Sequence, residues 1–549
     1  MLRVVTFVCL LLAVPVLCVL GSWLVFDAAS LETLRHQWRT VLPEYLWNTG
    51  RLALGVGVGV ALLGGATAAA VTLFDFPLRR QFEWALLLPL AMPAYVLAYA
   101  CTDFLQFSGP LQTALREASG AQAALWPDVR SLPGATVLFI LCLYPYVYLL
   151  ARAALGERAV PLMEAARLLG AGSVRRVRAV ALPLARPALA AGVALALMET
   201  LADYGVVSYF GVPTVTTGIY RAWLGMDDRI AASQLASILL AGVALLMWLE
   251  RRAQRRLRFA PGRRGAAHGA EARPIRLQGA GAAFAFGLCL LPVLLGFVLP
   301  VLVLLRLVVL EVQAAGGPDT AGWSRFLQWG WTSLHLALTA SGLAVALSLA
   351  LAFANRVQTR ASLRFATRIV SLGYAVPGAV IAVGILLPVG WLQQVAPGAG
   401  TTALVTGTTF GLLYAYLVRF SAASLQSIEA GYARLPQSVD EAARTLGTPR
   451  RRLFLELHAP LLRRPALAAA LLVFVDVMKE LPATLLLRPF DSDTLAVVAY
   501  QLARDERLGE AALPSIAIVV VGLIPVLLLS AAIRESPTSS QASLLPANA

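Results

Sequence analysis

Charged side chains are scarce in this chain. Asp, Glu, Lys and Arg make up 14% of its 549 residues, whereas they make up about 25% of a typical soluble domain. Hydrophobic residues make up 59%, and the mean hydropathy is +0.74. These values exclude a soluble globular protein. They predict an all-α polytopic membrane protein, because a helix satisfies its own backbone hydrogen bonds where no water can.

Lysine is almost absent. Lys479 is the only one, beside 44 arginines. A Walker A loop needs lysine in GKS or GKT, but Lys479 lies in Met-Lys-Glu at 478–480. The chain therefore cannot bind ATP through such a loop, and the energy for any transport must come from another chain or from an ion gradient.

Cysteine and histidine are few, and their spacing indicates no chemistry. All five cysteines fall within apolar segments without a CxxC neighbour, so their spacing indicates neither a zinc site nor a disulfide framework. No two histidines have metal-ligand spacing, and no nucleophile has a base at a suitable distance. We therefore predict no catalytic residue, no cofactor and no resident metal. These residues are Cys9, Cys18, Cys101, Cys142, Cys289, His36, His268, His335 and His458.

Long apolar blocks dominate the rest of the sequence. Each is long enough for a helix that crosses a hydrocarbon core, which needs about 20 residues. The first block has no clear small-residue cleavage site, so we interpret it as a retained span rather than a signal peptide. The twelve predicted spans are roughly 4–26, 51–74, 84–106, 133–153, 187–210, 231–249, 279–309, 332–355, 367–391, 402–424, 465–486 and 510–533.

The distribution of arginine predicts the orientation. If the N-terminus is cytoplasmic, most arginines fall in cytoplasmic loops, as the positive-inside rule requires. Both termini are then cytoplasmic. The net charge of +15 is explained by loops that face anionic lipid, so we expect no nucleic-acid partner.

The chain is a tandem duplication. A Gly/Pro/Arg-rich stretch at 251–278 has the composition of a cytoplasmic linker, and it separates six spans in residues 1–250 from six in residues 279–533. Residues 534–549 are predicted to form a disordered cytoplasmic tail. In the third span of each half, LLPLAMPAYVLAYA at 87–100 is echoed by SLGYAVPGAVIAVGI at 371–385.

A second repeat lies in a polar loop of each half, at about 154–186 and 425–464. EAARLLGAGSVRRVRAVALPLARPAL begins at Glu164, and EAARTLGTPRRRLFLELHAPLLRRPAL begins 277 residues later at Glu441. The pattern predicts a short helix, a sharp turn at glycine and a second helix at the membrane surface. Ordinary basic loops are the alternative, but such loops have little reason to repeat glutamate, alanines, glycine and proline in register.

These segments resemble the EAA loops of permease subunits of ATP-binding-cassette importers. The layout is similar to that of type I importers, and ETLADYGVVSYFGVPTVTTGIYRAW (199–223) and MKELPATLLLRPFDSDTLAVVAYQLA (478–503) resemble the fused permeases of ferric-iron uptake systems. The resemblance implies a bacterial inner-membrane protein that works with two copies of a cytoplasmic ATPase and with a periplasmic or extracellular binding protein. The residues implied to dock on the ATPases are Glu164, Ala165, Ala166, Gly170, Glu441, Ala442, Ala443 and Gly447.

Four carboxylates lie inside predicted spans, where charge is expensive and usually functional. Glu199 and Asp203 are four residues apart, so on one helix they share a face. Asp476 and Glu480 repeat this spacing 277 residues later. We hypothesise that the four form an acidic passage for a hard cation, which prefers oxygen ligands. The alternative is that Asp476 or Glu480 pairs with Lys479 or Arg419, or that some of the four lie near the outer surface.

Two other functions remain open from the sequence. Fused permeases of similar layout carry thiamine or other small solutes, so the solute is not fixed. An ion-gradient-driven secondary transporter would also use carboxylates within the membrane, and parallel repeats occur in that class too. The paired EAA segments argue against the secondary transporter.

Overall fold

A computed structural model describes residues 2–24, 28–156, 160–255, 275–314, 322–358, 361–396 and 400–534. Nearly all of these residues are helical. Most of the proposed linker (256–274) and almost all of the proposed tail (535–549) lie outside the described residues. Two-residue strands, Phe74–Asp75 and Ile275–Arg276, pair in parallel, so the C-terminal end of the proposed linker is tied to the first half.

The first half consists of thirteen described helices. Short 3-10 or π turns at Ser22–Leu24, Leu88–Ala91, Val177–Ala181 and Arg221–Gly225 extend or join them. The helices are α1 Leu2–Gly21, α2 Ala28–Arg39, α3 Leu42–Leu73, α4 Arg79–Ala85, α5 Ala94–Leu105, α6 Pro110–Ser119, α7 Leu132–Ala154, α8 Val160–Leu168, α9 Ser173–Arg176, α10 Leu182–Ala202, α11 Gly205–Tyr209, α12 Val215–Tyr220 and α13 Arg229–Arg255.

The second half repeats this order, with similar turns at Leu294–Val298, Gly373–Ala375 and Leu453–His458. Its described helices are α14 Ala280–Val293, α15 Leu299–Ala314, α16 Trp323–Val357, α17 Ala361–Leu372, α18 Gly378–Val395, α19 Thr401–Thr406, α20 Phe410–Ala433, α21 Gln437–Thr445, α22 Arg450–Arg452, α23 Ala459–Leu461, α24 Arg463–Met478, α25 Pro482–Leu487, α26 Leu495–Arg504 and α27 Leu508–Arg534.

Nine helical segments in the described part of the chain are long and apolar enough to cross a membrane, and a pair bent by 93° at 79–119 makes a tenth. The two other predicted blocks, 402–424 and 465–486, coincide with α20 and with α24 and α25. Of these, α20 carries Arg419 and Glu429, and α24 stops after 16 residues. The protein is therefore multi-pass, and these two segments owe their place in the bundle to packing rather than to uniform hydropathy.

The first helix of each half packs against the other half. In the N-terminal half α1 lies against α17 and α18, and at the start of the second half α14 lies against α3 and α4. The approach of α1 to α18 is close, because a Cβ atom at Gly384 would come within 2.1 Å of the Pro15 carbonyl oxygen. This exchange of first helices joins the two halves into one bundle.

Close packing of α3 on α7 gives a first prediction. A Cβ atom at Gly64 would lie 2.7 Å from both the Tyr144 carbonyl oxygen and Val147 Cβ. Overpacking of a filled interior typically lowers stability by about 1–3 kcal/mol, so Gly64→Ala should lower the thermal unfolding midpoint of the purified protein in detergent. The matched control is Gly65→Ala, whose Cβ would meet only the flexible end of Leu189, at 3.1 Å. Equal midpoints for the two variants would contradict this packing.

Candidate functional site

A cavity of about 120 Å³ lies where the two halves meet, with room for several water molecules. The first half contributes Leu88–Ala91, α5, α7 and the end of α10. The second half contributes Gly373–Ala375, α20 and the segment in which α24 gives way to α25. The four carboxylates singled out in the sequence, Glu199, Asp203, Asp476 and Glu480, all line it.

Both halves break a helix at this cavity. The long helix α10 ends at Ala202 and α11 begins at Gly205, while α24 ends at Met478 and α25 begins at Pro482. Gly205 is required at its break, because a Cβ there would come within 2.7 Å of Tyr95 Cβ. Each new helix begins at a residue that is unfavourable inside a helix, Gly205 in the first half and Pro482 in the second.

Two of the carboxylates satisfy the free amides of these new helices. Asp203 Oδ1 accepts a hydrogen bond from the Val206 amide at 2.9 Å. The Glu480 carboxylate accepts two, from Ala483 and Thr484, each at 2.9 Å. Both side chains thus cap the start of a helix from the residue just before its N-cap, which is Tyr204 in α11 and Leu481 in α25. The expectation that the two carboxylates of each pair share one helix face is therefore wrong. Asp203 lies just beyond the end of α10, and Glu480 lies just beyond the end of α24.

The second half's carboxylates have cationic partners. Lys479 Nζ lies 3.0 Å from Asp476 Oδ1, and Arg419 Nη1 lies 3.1 Å from Glu480 Oε1. A Cβ at Gly378 would lie 2.8 Å from Glu480 Oε1, so glycine there leaves room for the second ion pair. The ion pairing considered from the sequence is thus observed, at the same cavity.

The first half's carboxylates have no cationic partner among the described residues. Glu199 Oε1 accepts a hydrogen bond from the Tyr374 hydroxyl at 3.2 Å, and Asp203 accepts its capping bond. Sequence reasoning missed Tyr374, Tyr146 and Tyr95, which also line the cavity. Tyr374 was visible only as part of the echo at 371–385. With two of its four carboxylates neutralised, the cavity carries an excess of negative charge.

The four carboxylates do not form a metal-binding cluster. In the described parts of the chain, no three His, Cys, Asp or Glu side chains lie close enough together to hold a metal ion. A cavity with room for several waters and with separated oxygen acceptors can stabilise a passing cation without binding it tightly. This arrangement suits passage better than storage.

The repeated polar loops have the helix, turn and helix that the sequence predicted. Gly170 and Gly447 adopt positive φ angles of 81° and 72°. In each loop the glycine amide donates to the carbonyl three residues back, at 2.9 Å, and the next amide donates to the carbonyl five residues back. This pattern is a Schellman motif, which favours glycine at the left-handed position. We call residues 160–170 the first coupling helix and turn, and residues 437–447 the second.

The tips of both coupling helices are uncovered. Leu168 and Leu169 are 86% and 88% exposed, and Leu446 is 84% exposed. Leu168 and Leu169 are adjacent, so the tip of the first coupling helix presents a small apolar surface. Ala165, Glu441 and Ala442 are also exposed, whereas the side chain of Glu164 lies outside the described part of the structure.

Comparison with known proteins identifies the family. The profile of binding-protein-dependent transport system inner membrane components matches residues 61–259 and again residues 342–535. The Fe(3+)-transport system permease protein FbpB 2 of Haemophilus influenzae is 24% identical over 534 residues, which cover 95% of the chain and 97% of that protein.

Shorter relatives match part of the chain. A putative 2-aminoethylphosphonate transport system permease protein, PhnU, of Salmonella choleraesuis is 29% identical over 38% of the chain and 74% of that protein. The sulfate transport system permease protein CysT of Salmonella typhimurium is 27% identical over 44% of the chain and 86% of that protein. All three are named as transport permeases. The chain therefore belongs to the family of binding-protein-dependent transport system inner membrane components, as an ATP-binding-cassette permease that carries the family's domain twice.

Proposed function

We propose that this chain is the complete transmembrane unit of an importer for ferric iron in the bacterial cytoplasmic membrane. Its halves, residues 1–250 and 279–533, each contribute six spans, with both termini and the linker on the cytoplasmic side. An external binding protein delivers the solute, and two copies of a separate ATPase supply the energy. The observation that carries the proposal is the acidic cavity at paired helix breaks between two copies of the family's domain.

The coupling helices are the proposed ATPase contacts. Each offers small alanines and one glutamate on a short helix, followed by exposed leucine at a tight turn. Such a tip combines an apolar contact with a charge that fixes its orientation. Movement of the ATPases would then push on Glu164, Ala165, Ala166 and Gly170 in one half, and the repeat supplies Glu441, Ala442, Ala443 and Gly447 in the other.

The broken helices are the proposed solute path. Discontinuous helices near the bilayer midplane form the solute sites of many transporters, since their free backbone groups can face a ligand. Glu199 and Asp203 are the acceptors left without a cation, and Asp476 and Glu480 are held by Lys479 and Arg419. A hard cation such as ferric ion prefers oxygen ligands of this kind.

The net charge of the cavity also distinguishes between the candidate solutes. The two shorter relatives are named for 2-aminoethylphosphonate and sulfate, and an anionic solute would be repelled by a cavity with excess negative charge. The similarity to the Fe(3+)-transport system permease extends over nearly the whole chain. Both observations favour ferric iron, and thiamine, another cation, is the alternative that the charge argument leaves.

Uptake in cells that lack this chain tests the solute. Radiolabelled ferric iron should accumulate when the wild-type gene is restored, and unlabelled ferric iron should compete while thiamine, sulfate and 2-aminoethylphosphonate do not. The matched control is the same cells with an empty vector. Equal iron uptake with the gene and with the empty vector, at normal expression, would refute iron as the solute. Competition by thiamine would make thiamine the proposed solute instead.

A further inference from the structure

A buried polar cluster lies beneath the second coupling helix. Asp440 is 6% exposed and His458 is 1% exposed. Asp440 belongs to the first turn of α21, while His458 ends the π turn that leads back to the membrane. Neither residue lines the cavity between the halves, so the solute path does not account for them.

Four helical segments meet in this cluster: α16, α20, α21 and the π turn Leu453–His458. Arg356, at the end of α16, places its Nε 2.6 Å from Asp440 Oδ2, and its Nη2 donates to the Leu435 and Pro436 carbonyls at 3.0 Å. His458 Nε2 lies 2.8 Å from Asp440 Oδ1, and its Nδ1 lies 3.2 Å from the Tyr432 hydroxyl of α20. The coupling helix is thereby tied to α16 and α20 by directional bonds.

The first half has no such cluster at the matching positions. The residues 277 positions before Asp440 and His458 are Met163 and Ala181, which are 5% and 2% exposed. Both belong to the hydrophobic core. Apolar contact is non-directional, so it resists separation of two surfaces but resists sliding less than bonded charges do.

We propose that Asp440, held by Arg356 and His458, is a positioning residue that makes the second coupling helix move as one body with α16 and α20. At the matching positions the first half has Met163 and Ala181, so this particular anchor belongs to the second coupling helix. The effect of Asp440 on transport rests on the proposed function, because it requires that the ATPases dock at the coupling helices. The rigid connection between the second coupling helix and α16 does not, because it lies within the permease.

The protonation state of Asp440 supports this role. Burial raises the pKa of the Asp440 carboxyl, but the hydrogen bonds and positive charges of Arg356 and His458 outweigh it and bring the pKa below the usual range. The carboxylate therefore stays ionised at neutral pH. Removing one member of a buried charged pair leaves the other uncompensated, which is strongly unfavourable, so the cluster resists partial opening.

Distance measurements between spin labels test the proposal directly. Nitroxides are attached to Thr445→Cys on the coupling helix and Ala346→Cys on α16, both exposed positions, after the five native cysteines are replaced by alanine. In the otherwise wild-type chain the distance distribution should be narrow and unchanged on binding ATPase with ATP. Asp440→Asn should broaden it about twofold, because the helix then fluctuates locally.

Arg356→Gln should broaden the distribution as much as Asp440→Asn, and the double variant no further, because both act on one cluster. The matched control, Met163→Leu in the first half, should leave it unchanged. If Asp440→Asn does not accumulate, Tyr432→Phe removes only the bond to His458 and should give a smaller broadening. An unchanged distribution in the accumulating variant, or a shift in the wild type on ATP binding, would overturn the proposal.

A transport readout separates this inference from the proposed function. In proteoliposomes with ATPase and binding protein, Asp440→Asn should lower the labelled ferric iron moved per ATP hydrolysed by about threefold while ATPase association stays intact. Loss of association instead would make Asp440 a docking residue and overturn the positioning role. Failure of the wild type to bind the ATPase would refute the proposed function, while the label distances would still decide the positioning role.

Discussion

Uptake should be abolished when Glu164 and Glu441 are both replaced by arginine. The two glutamates occupy the same place in both coupling helices, and each immediately precedes the two alanines. Reversing a charge in a docked interface typically weakens binding by about 2–5 kcal/mol. With both loops altered, ATPase copurification and labelled ferric-iron uptake should each fall at least ~100-fold.

The matched control is Glu456→Arg. Glu456 is an exposed acidic residue in the same polar segment as Glu441, and the residue 277 positions earlier is Ala179, so it lies outside the repeated pattern. This variant should bind the ATPase and transport normally. Wild-type uptake by the double variant would show that the coupling helices do not bind the ATPase.

The second large effect is expected at the cavity. Glu199→Gln together with Asp203→Asn should reduce transport about 100-fold or more, because the two carboxylates without cationic partners are the ones able to offset the charge of a passing cation. Protein accumulation and ATPase association should stay near wild type. The measurement is labelled uptake normalised to the amount of complex recovered from the membrane.

The partner variant in the second half should behave differently. Asp476→Asn together with Glu480→Gln leaves the positive charges of Lys479 and Arg419 without counter-charges, and loss of one partner from a buried pair typically lowers stability by about 3–5 kcal/mol. This variant of the chain should therefore accumulate poorly.

Full transport by the variant that combines Glu199→Gln and Asp203→Asn would exclude Glu199 and Asp203 from the solute path.

The sequence predicted the local features well. Glycine six residues after each glutamate predicted the turn that φ values of 81° and 72° confirm. Gly205 and Pro482 stand close to the acidic pairs in the sequence, and both helices break there. These features depend on residues close together in the chain, whose conformational preferences are intrinsic.

Long-range pairing was predicted only in part. Pairing of Glu480 with Arg419, 61 residues away, was one alternative from the sequence and is observed. The contact of Arg356 with Asp440, 84 residues away, was not predicted, because only the packing of helices brings the two together. His458 showed no spacing to another histidine and was therefore given no role. The exchange of α1 and α14 between halves is likewise invisible in hydropathy, since an apolar helix gives the same pattern whichever neighbour it contacts.

The most direct test of the account is uptake into proteoliposomes that contain the purified chain. Labelled ferric iron should accumulate only when the ATPase, ATP and the binding protein are all present, and the Glu164→Arg, Glu441→Arg variant should show no accumulation. Accumulation driven by a proton or sodium gradient without the ATPase would contradict the account and make the chain a secondary transporter.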